Sequence, residues 1–305
     1  MRRQRCVCAL AVTATALMAG LLAFGQGSGA PGAASRAAGG WRLPFASIRL
    51  ERFRFGPVAV HDHIAFDYRF PVPNDPYPHQ MKQGYAFDGV EMAAALDWLW
   101  GRTPMRTTLR FSPAPTRHWA YDQDTNFTPT GTFTHGDAGY AQGRTFALGQ
   151  RIAIGAIPGW GGLGLALGFL RQASRYGLVT TYDLNSNPAL PSTSYTRTIN
   201  ERAILYELRV GLATAHDVRW GAWTLHAGFE ATPMADILLR NYIPELAPTS
   251  TLAYGGAATL ALGRRLGRWR WRLGGEARWE SGYKPLWRFD RQTFALRLEF
   301  VSPRL

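Results

Sequence analysis

Cysteine is almost absent from this 305-residue chain, because Cys6 and Cys8 are the only two. Both lie in an N-terminal segment that combines a basic start, an apolar run to Phe24 and a stretch of small residues. Such a segment is typical of a cleaved secretory signal peptide, which we predict over residues 1–34. The alternative is an uncleaved anchor, since about 18 apolar residues just suffice to cross a bilayer. The mature chain would have no cysteine, which excludes a disulfide framework and a thiolate metal site.

Long apolar runs are missing after residue 24, and the mean hydropathy is only −0.16. A helical membrane protein is excluded on this ground. The sequence also has no glycine-rich phosphate loop and no Gly-x-Ser-x-Gly motif, so nucleotide-binding and serine-hydrolase functions have no support. Acidic residues are scarce, 21 against 34 basic ones, giving a net charge of +13. This charge favours an anionic partner, and an exported protein would meet a lipid headgroup surface rather than nucleic acid.

The chain ends in a strictly alternating segment, residues 292–300. Phe294, Leu296, Leu298 and Phe300 share one face, and polar or small residues occupy the other. This pattern is typical of a barrel strand with an apolar outward face and a polar inward face.

Similar period-2 segments recur along the chain and predict ten strands. They lie within residues 58–70, 90–100, 105–111, 146–154, 163–169, 204–212, 223–229, 252–262, 269–279 and 292–300. Short turns alternate with long connections near 71–84, 112–142, 181–200, 236–250 and 281–291. Tryptophans cluster at strand ends, as in an aromatic girdle.

The fold predicted from this pattern is all-β: a transmembrane antiparallel up-and-down β-barrel of ten strands, with short periplasmic turns and long extracellular loops. The barrel is assigned to residues 58–305, and residues 35–57 to a linker or periplasmic arm, with an extra strand as the alternative. A soluble barrel or sandwich would also alternate but would bury its apolar face inward. The predicted location is the outer membrane of a Gram-negative-type bacterium.

The second long connection contains Asp122-Gln123-Asp124, followed by a polar segment with Pro129 and Gly131-Thr132. Here the sequence resembles the omptins, the ten-stranded outer-membrane endopeptidases. The resemblance extends to Ala173–Tyr176 and Glu201–Tyr206. It covers residues 97–300 loosely and is strongest between 119 and 209.

The resemblance implies that Asp122 and Asp124 are catalytic. In omptins two such carboxylates face an Asp-x-His pair from the fourth loop, and together they activate a water that attacks a peptide bond next to basic residues. Paired carboxylates raise each other's pKa, which allows one to act as a base near neutral pH. Alternation places both side chains on one face.

The fourth loop departs from the omptin pattern, because residues 236–250 contain no histidine. Asp236 and Glu245 offer carboxylates but no imidazole. His135, with Asp137 as its orienting partner, is a candidate substitute. The competing interpretation treats these residues as ordinary polar loop residues.

A lipid site is predicted on the fifth strand, where Arg171 and Arg175 extend the outward apolar row. Guanidinium groups there would meet lipopolysaccharide phosphates. The omptin resemblance implies the same role for Arg175 and for Arg209, although alternation places Arg209 in the lumen. Snorkelling at the membrane edge is the alternative for Arg171 and Arg175.

No metal site is assigned, because His61 and His63 are interpreted as inward lumen lining with no third ligand. No cofactor is expected beyond lipopolysaccharide as a structural lipid. Two functions remain open: an omptin-like endopeptidase with an altered catalytic set acting on a peptide or protein substrate, and a non-enzymatic barrel serving as structural protein, adhesin or receptor.

Overall fold

The computed structural model describes residues 48–70, 79–187, 189–241, 249–284 and 287–304. These residues form eleven strands: β1 Ile48–Phe70, β2 His79–Trp100, β3 Thr103–Phe111, β4 Thr116–Thr128, β5 Gly131–Ile157, β6 Gly161–Asn185, β7 Thr193–Trp220, β8 Trp223–Asn241, β9 Thr249–Leu266, β10 Trp269–Lys284 and β11 Trp287–Val301. In this part of the chain no helix is long and apolar enough to span a bilayer. The predicted signal peptide, residues 1–34, lies outside the described residues.

The sheet closes on itself, because β1 pairs antiparallel with both β2 and β11. Strands β3 and β4 each pair with both β2 and β5, so the two act as one interrupted strand. The ring therefore has ten strand positions, which confirms the predicted ten-stranded antiparallel barrel.

The closing strand β11 has the predicted orientation. The side chains of Phe294 and Leu296 are 52% and 57% exposed, whereas Thr293 and Ala295 are buried. Apolar side chains therefore cover the outside of the barrel at this level, where lipid replaces water as their solvent.

The strands are much longer than a membrane requires. Strands β5, β6 and β7 have 27, 25 and 28 residues, against roughly 10 needed to cross the bilayer. The extracellular excursions are long, as predicted, but they consist mostly of strand. Residues 112–142, predicted as a loop, instead contain β4, a turn and the first part of β5.

The start of the barrel was also placed too late by the sequence. Strand β1 begins at Ile48, which pairs with Trp100, and Arg54 pairs with Val301. Residues 48–57 therefore belong to the first barrel strand rather than to a linker or arm. The register shifts between Leu50 and Arg52, which interrupts the period of two in this segment.

The interior changes character along the barrel axis. Inside the barrel, Arg291 donates Nε and Nη2 to Asp62 over 2.8 and 2.7 Å, and Nη1 to Glu207 and Glu280. All four side chains are at most 3% exposed. Ion pairs of this kind line interior cavities of about 260 and 80 Å³ in the described part of the chain, as in a ten-stranded barrel that side chains largely fill.

An apolar layer lies directly above these ion pairs. Each apolar residue lies two positions from a charged one on the same inward face: Ile64 from Asp62, Leu205 from Glu207, and Phe289 from Arg291. Because neighbouring strands are antiparallel, all three steps run toward the extracellular end. The layer also includes Tyr85, Phe87, Leu170, Tyr176, Val179 and Ile237. It separates the charged interior from the extracellular mouth.

The inward and outward faces of β1 are opposite to those predicted. Ile64 and Phe66 point inward and are buried, whereas His61 and His63 are exposed on the outside. The prediction that the two histidines line the lumen is therefore wrong. The alternation was predicted correctly but the inward face was not, because Ile64 and Phe66 belong to the apolar layer inside the barrel rather than to its lipid-facing surface.

Candidate functional site

Asp122 and Asp124 lie on β4, in the part of the barrel that projects above the membrane. Asp122 stands opposite Gln83 of β2 and Asp137 of β5, and Asp124 stands opposite His135 of β5. Both aspartates share the inward face with Ala120, which packs against the apolar layer. The predicted common face is therefore present, on a strand rather than in a loop.

The carboxyl group of Asp122 has a pKa raised to about 6. Burial is the largest cause, and the negative charges of Asp137 and Asp124 add to it, while a hydrogen bond from Gln83 opposes it. One oxygen of Asp122 and one of Asp124, Oδ1 in each case, are buried without a hydrogen-bond partner among the described residues. These oxygens are hydrogen-bond acceptors that the described side chains leave unused.

His135 is the imidazole at this site. Its Nδ1 donates to Asp183 Oδ1 of β6 over 2.6 Å, and Thr193 donates to the other oxygen of Asp183 over 3.2 Å. The hydrogen bond from His135 is the main reason why the pKa of Asp183 is lowered. A proton on Nδ1 places the ring lone pair on Nε2, the arrangement of a histidine base oriented by a carboxylate.

The position of His135 brings the imidazole next to the predicted carboxylates. Residues directly opposite on antiparallel strands have Cβ atoms about 5 Å apart, which is the case for Asp124 and His135. Strands β4, β5 and β6 thus place Asp124, His135 and Asp183 in one row across the inward face.

The predicted orienting partner of His135 was wrong. Asp137 instead accepts hydrogen bonds from Thr181 over 2.5 Å and from Arg197 of β7 over 3.1 Å. Asp183 was missed, because residues beyond 180 were assigned to a loop and their strand register was not visible. The continued alternation of Thr181 and Asp183 was the only signal available.

The two fourth-loop carboxylates do not complete this site. Asp236 lies on β8 between the inward-facing Ala235 and Ile237, and its own side chain is exposed on the outside. Glu245 lies outside the described residues. Within the described part of the chain, no group of three or more His, Cys, Asp or Glu side chains is arranged to hold a metal ion.

Arg171 and Arg175 are exposed on the outer face of β6, as predicted. Arg209 is not: it points into the barrel, where it forms ion pairs with Glu207 at 3.0 Å and Glu230 at 3.4 Å. The resemblance-based assignment of Arg209 to the lipid-binding set is therefore incorrect, and strand alternation predicted its side correctly.

Three further arginines, which were not predicted from the sequence, lie beside Arg171 and Arg175 on the outer surface. They are Arg117, Arg144 and Arg202, which line the same shallow depression. Arg202 stands directly opposite Arg175, and the guanidinium group of Arg117 lies 3.7 Å from the ring centre of Tyr140. In the described part of the chain, Arg144, Arg171 and Arg202 have no carboxylate partner.

No protein-family model and no curated protein matches this sequence. Among solved structures, the chain is similar to the outer membrane protease OmpT of Escherichia coli, with a TM-score of 0.54 and 10% identity, over 84% of this chain and 97% of that one. The translocator domain of the autotransporter NalP of Neisseria meningitidis matches with a TM-score of 0.22 and 12% identity, over 82% and 88%. The toluene transporter TbuX of Ralstonia pickettii matches with a TM-score of 0.21 and 9% identity, over 84% and 90%.

The similarity to OmpT covers most of both chains, and OmpT is an omptin. It agrees with the resemblance drawn from Asp122-Gln123-Asp124 and the neighbouring motifs, at the level of the fold. This chain has the barrel fold of the outer membrane protease OmpT.

Proposed function

We propose that this chain is an outer-membrane barrel of a Gram-negative-type bacterium that hydrolyses peptide bonds at its extracellular mouth. The observation that carries the proposal is the row Asp124, His135 and Asp183, with Asp122 beside it. A histidine oriented by one carboxylate and placed opposite another is an arrangement suited to activating water. The apolar layer beneath the site supports this function, because a substrate can reach the row only from outside the cell.

In the proposed mechanism, His135 takes a proton from a water through Nε2, and Asp183 stabilises the imidazolium that forms. The resulting hydroxide attacks the carbonyl carbon of the scissile peptide bond, and the proton then passes to the leaving amine. Asp124 and Asp122 accept hydrogen bonds from the water through their carboxylate groups. The same carboxylates favour a cationic substrate, in line with the preference for basic residues that the omptin resemblance implies.

The test is cleavage of a dibasic peptide by the purified barrel refolded with lipopolysaccharide. We expect His135→Gln to lower kcat by about 10²-fold or more, because a general base contributes factors of this size. His63→Gln is the matched control, since His63 is exposed on the outer face of β1. If the unmodified barrel cleaves no peptide, the endopeptidase proposal fails and the non-enzymatic barrel is favoured.

The acidic limb of the pH–rate profile gives a second expected result. If deprotonated Asp122 is needed to hold the water, the rate falls as the pH drops through about 6, where this carboxyl becomes protonated. Asp137→Asn removes a negative charge that raises the pKa of Asp122, so the limb should move to lower pH. Kinetics between pH 4 and pH 8 would check this, and an unchanged limb would show that Asp122 does not control it.

We further propose that the outer arginine cluster, Arg117, Arg144, Arg171, Arg175 and Arg202, binds lipopolysaccharide phosphates. The five guanidinium groups line one shallow depression on the outer surface, and Arg175 stands directly opposite Arg202, so positive charge is concentrated there. Guanidinium groups bind phosphate bidentately, which suits the headgroup level of the outer leaflet.

Arg171→Gln combined with Arg202→Gln should therefore lower the affinity for lipopolysaccharide by roughly 10-fold or more, since charge-assisted hydrogen bonds are lost. Arg288→Gln serves as the control, because Arg288 is exposed on β11 and pairs with Asp290. Isothermal titration in detergent micelles would measure the affinities. Equal affinity in all three proteins would leave only snorkelling as the role of these residues.

A further inference from the structure

The periplasmic end of the barrel carries a girdle of exposed tryptophan side chains. The short turns at Gly101, Gly221 and Gly267 lie at this end, and each of these glycines has a positive φ near +60°. Trp100, Trp220 and Trp269 next to these turns are 46 to 49% exposed on the barrel surface. Exposed tryptophans in such a position mark the level of the lipid headgroups.

One arginine is built into this girdle. In the strand register Arg264 of β9 stands directly opposite Trp223 of β8 on one side and Trp271 of β10 on the other. Its guanidinium carbon lies 5.2 Å from the ring centre of Trp223, and the two indoles meet edge to face with centres 6.0 Å apart. The guanidinium thus lies over the ring of Trp223 on the outward face, and Trp271 stands opposite Arg264 on the next strand.

The row continues with aromatic side chains. Trp271 stands opposite Phe300 of β11, and Phe300 stacks on Phe55 of β1 with ring centres 5.6 Å apart. Four strands, β8, β10, β11 and β1, therefore contribute aromatic side chains at one height, and β9 contributes Arg264 between the first two.

The charge of Arg264 has no carboxylate partner among the described residues. Its sequence neighbour Arg265 points to the other face of β9 and donates Nε to the carbonyl of Gly267 over 3.0 Å. The acidic residue Asp217 belongs to the barrel interior, where it pairs with His226 at 2.6 Å and Arg272 at 3.5 Å. The outward surface at Arg264 is therefore positive.

We propose that Trp223, Arg264 and Trp271 form a binding site for the phosphate of a phospholipid headgroup in the periplasmic leaflet. The guanidinium binds two phosphate oxygens, and the indoles restrict its orientation while their faces contact the glycerol and upper acyl chain. The outward direction and the height of the row fit a lipid rather than a soluble anion. This site is independent of the peptide-hydrolysing mouth and of the outer arginine cluster.

Native mass spectrometry of the intact barrel, released from micelles containing phosphatidylglycerol, tests the proposal. We expect Arg264→Gln to lower the retained fraction of bound lipid at least several-fold. Arg265→Gln, one residue away on the inward face, should retain as much lipid as the unmodified protein. Diacylglycerol with the same acyl chains should bind weakly to all three proteins, because it has no phosphate.

Two outcomes would overturn this site. Equal retention of phosphatidylglycerol by the Arg264→Gln variant and the unmodified barrel would leave Arg264 with only a cation–π role. Displacement of the lipid by millimolar inorganic phosphate would identify a free-anion site instead. Trp223→Leu, which keeps the arginine, provides a second variant and should weaken retention less than Arg264→Gln.

Discussion

Replacing Asp122 and Asp124 together by asparagine is expected to lower kcat for peptide cleavage by at least about 10³-fold. Each carboxylate contributes an acceptor for the attacking water, and asparagine keeps the shape while removing the charge. General acid–base groups contribute factors of roughly 10² to 10⁴, and members of one site are not additive. The double variant should therefore lose about as much activity as the more damaging single variant.

The barrel itself should remain folded in this variant, because two buried negative charges next to Asp137 are removed. Resistance to unfolding in unheated electrophoresis samples would verify this. Asp88→Asn is the matched control, since Asp88 is 59% exposed on the outside and pairs with His61. Retained cleavage in the Asp122→Asn/Asp124→Asn protein would contradict the assignment of both residues.

Replacing Arg291 by methionine is expected to lower the free energy of unfolding by about 3–5 kcal/mol. Arg291 is the cation shared by Asp62, Glu207 and Glu280, and all of them are buried beneath the apolar layer. Removing it leaves three carboxylates without their common partner, and their side chains are at most 1% exposed. Urea titration of the barrel in micelles, followed by tryptophan fluorescence, would measure the loss.

Arg288→Met provides the comparison for this measurement. Arg288 lies three residues earlier on β11 and pairs with Asp290, but its side chain is 67% exposed. Exposed ion pairs contribute about 0–1 kcal/mol, so this change should be small. Adding Asp62→Asn to Arg291→Met should recover part of the stability; equal urea midpoints for Arg291→Met and the unmodified barrel would refute the role of the cluster.

The barrel fold could be predicted from local patterns because a transmembrane strand faces lipid on one side at every second residue. Leu163 to Phe169 and Phe294 to Phe300 show this period without reference to the rest of the chain. The period of two did not predict the correct inward face where apolar side chains also fill the barrel interior. In β1 the apolar layer makes the inward face apolar, so Ile64 and Phe66 were assigned to the wrong side.

The candidate site was predictable only in part. Asp122 and Asp124 share a face by simple alternation, and Arg209 was placed inward by the same rule. Asp183 could not be found this way, since its contact with His135 depends on the register between β5 and β6. The predicted pairing of His135 with Asp137 followed sequence proximity, whereas the strand register places Asp137 opposite Thr181.

The sequence by itself determined the barrel, its ten strands, the outward position of Arg171 and Arg175, and the pair Asp122 and Asp124, because each depends on a period of two residues. Only the tertiary structure decided which side chains meet across strands: Asp124 with His135 and Asp183, Arg291 with its three carboxylates, and Arg264 with its two tryptophans. Strand register and barrel closure set these contacts, and both arise from hydrogen bonding between segments far apart in the chain.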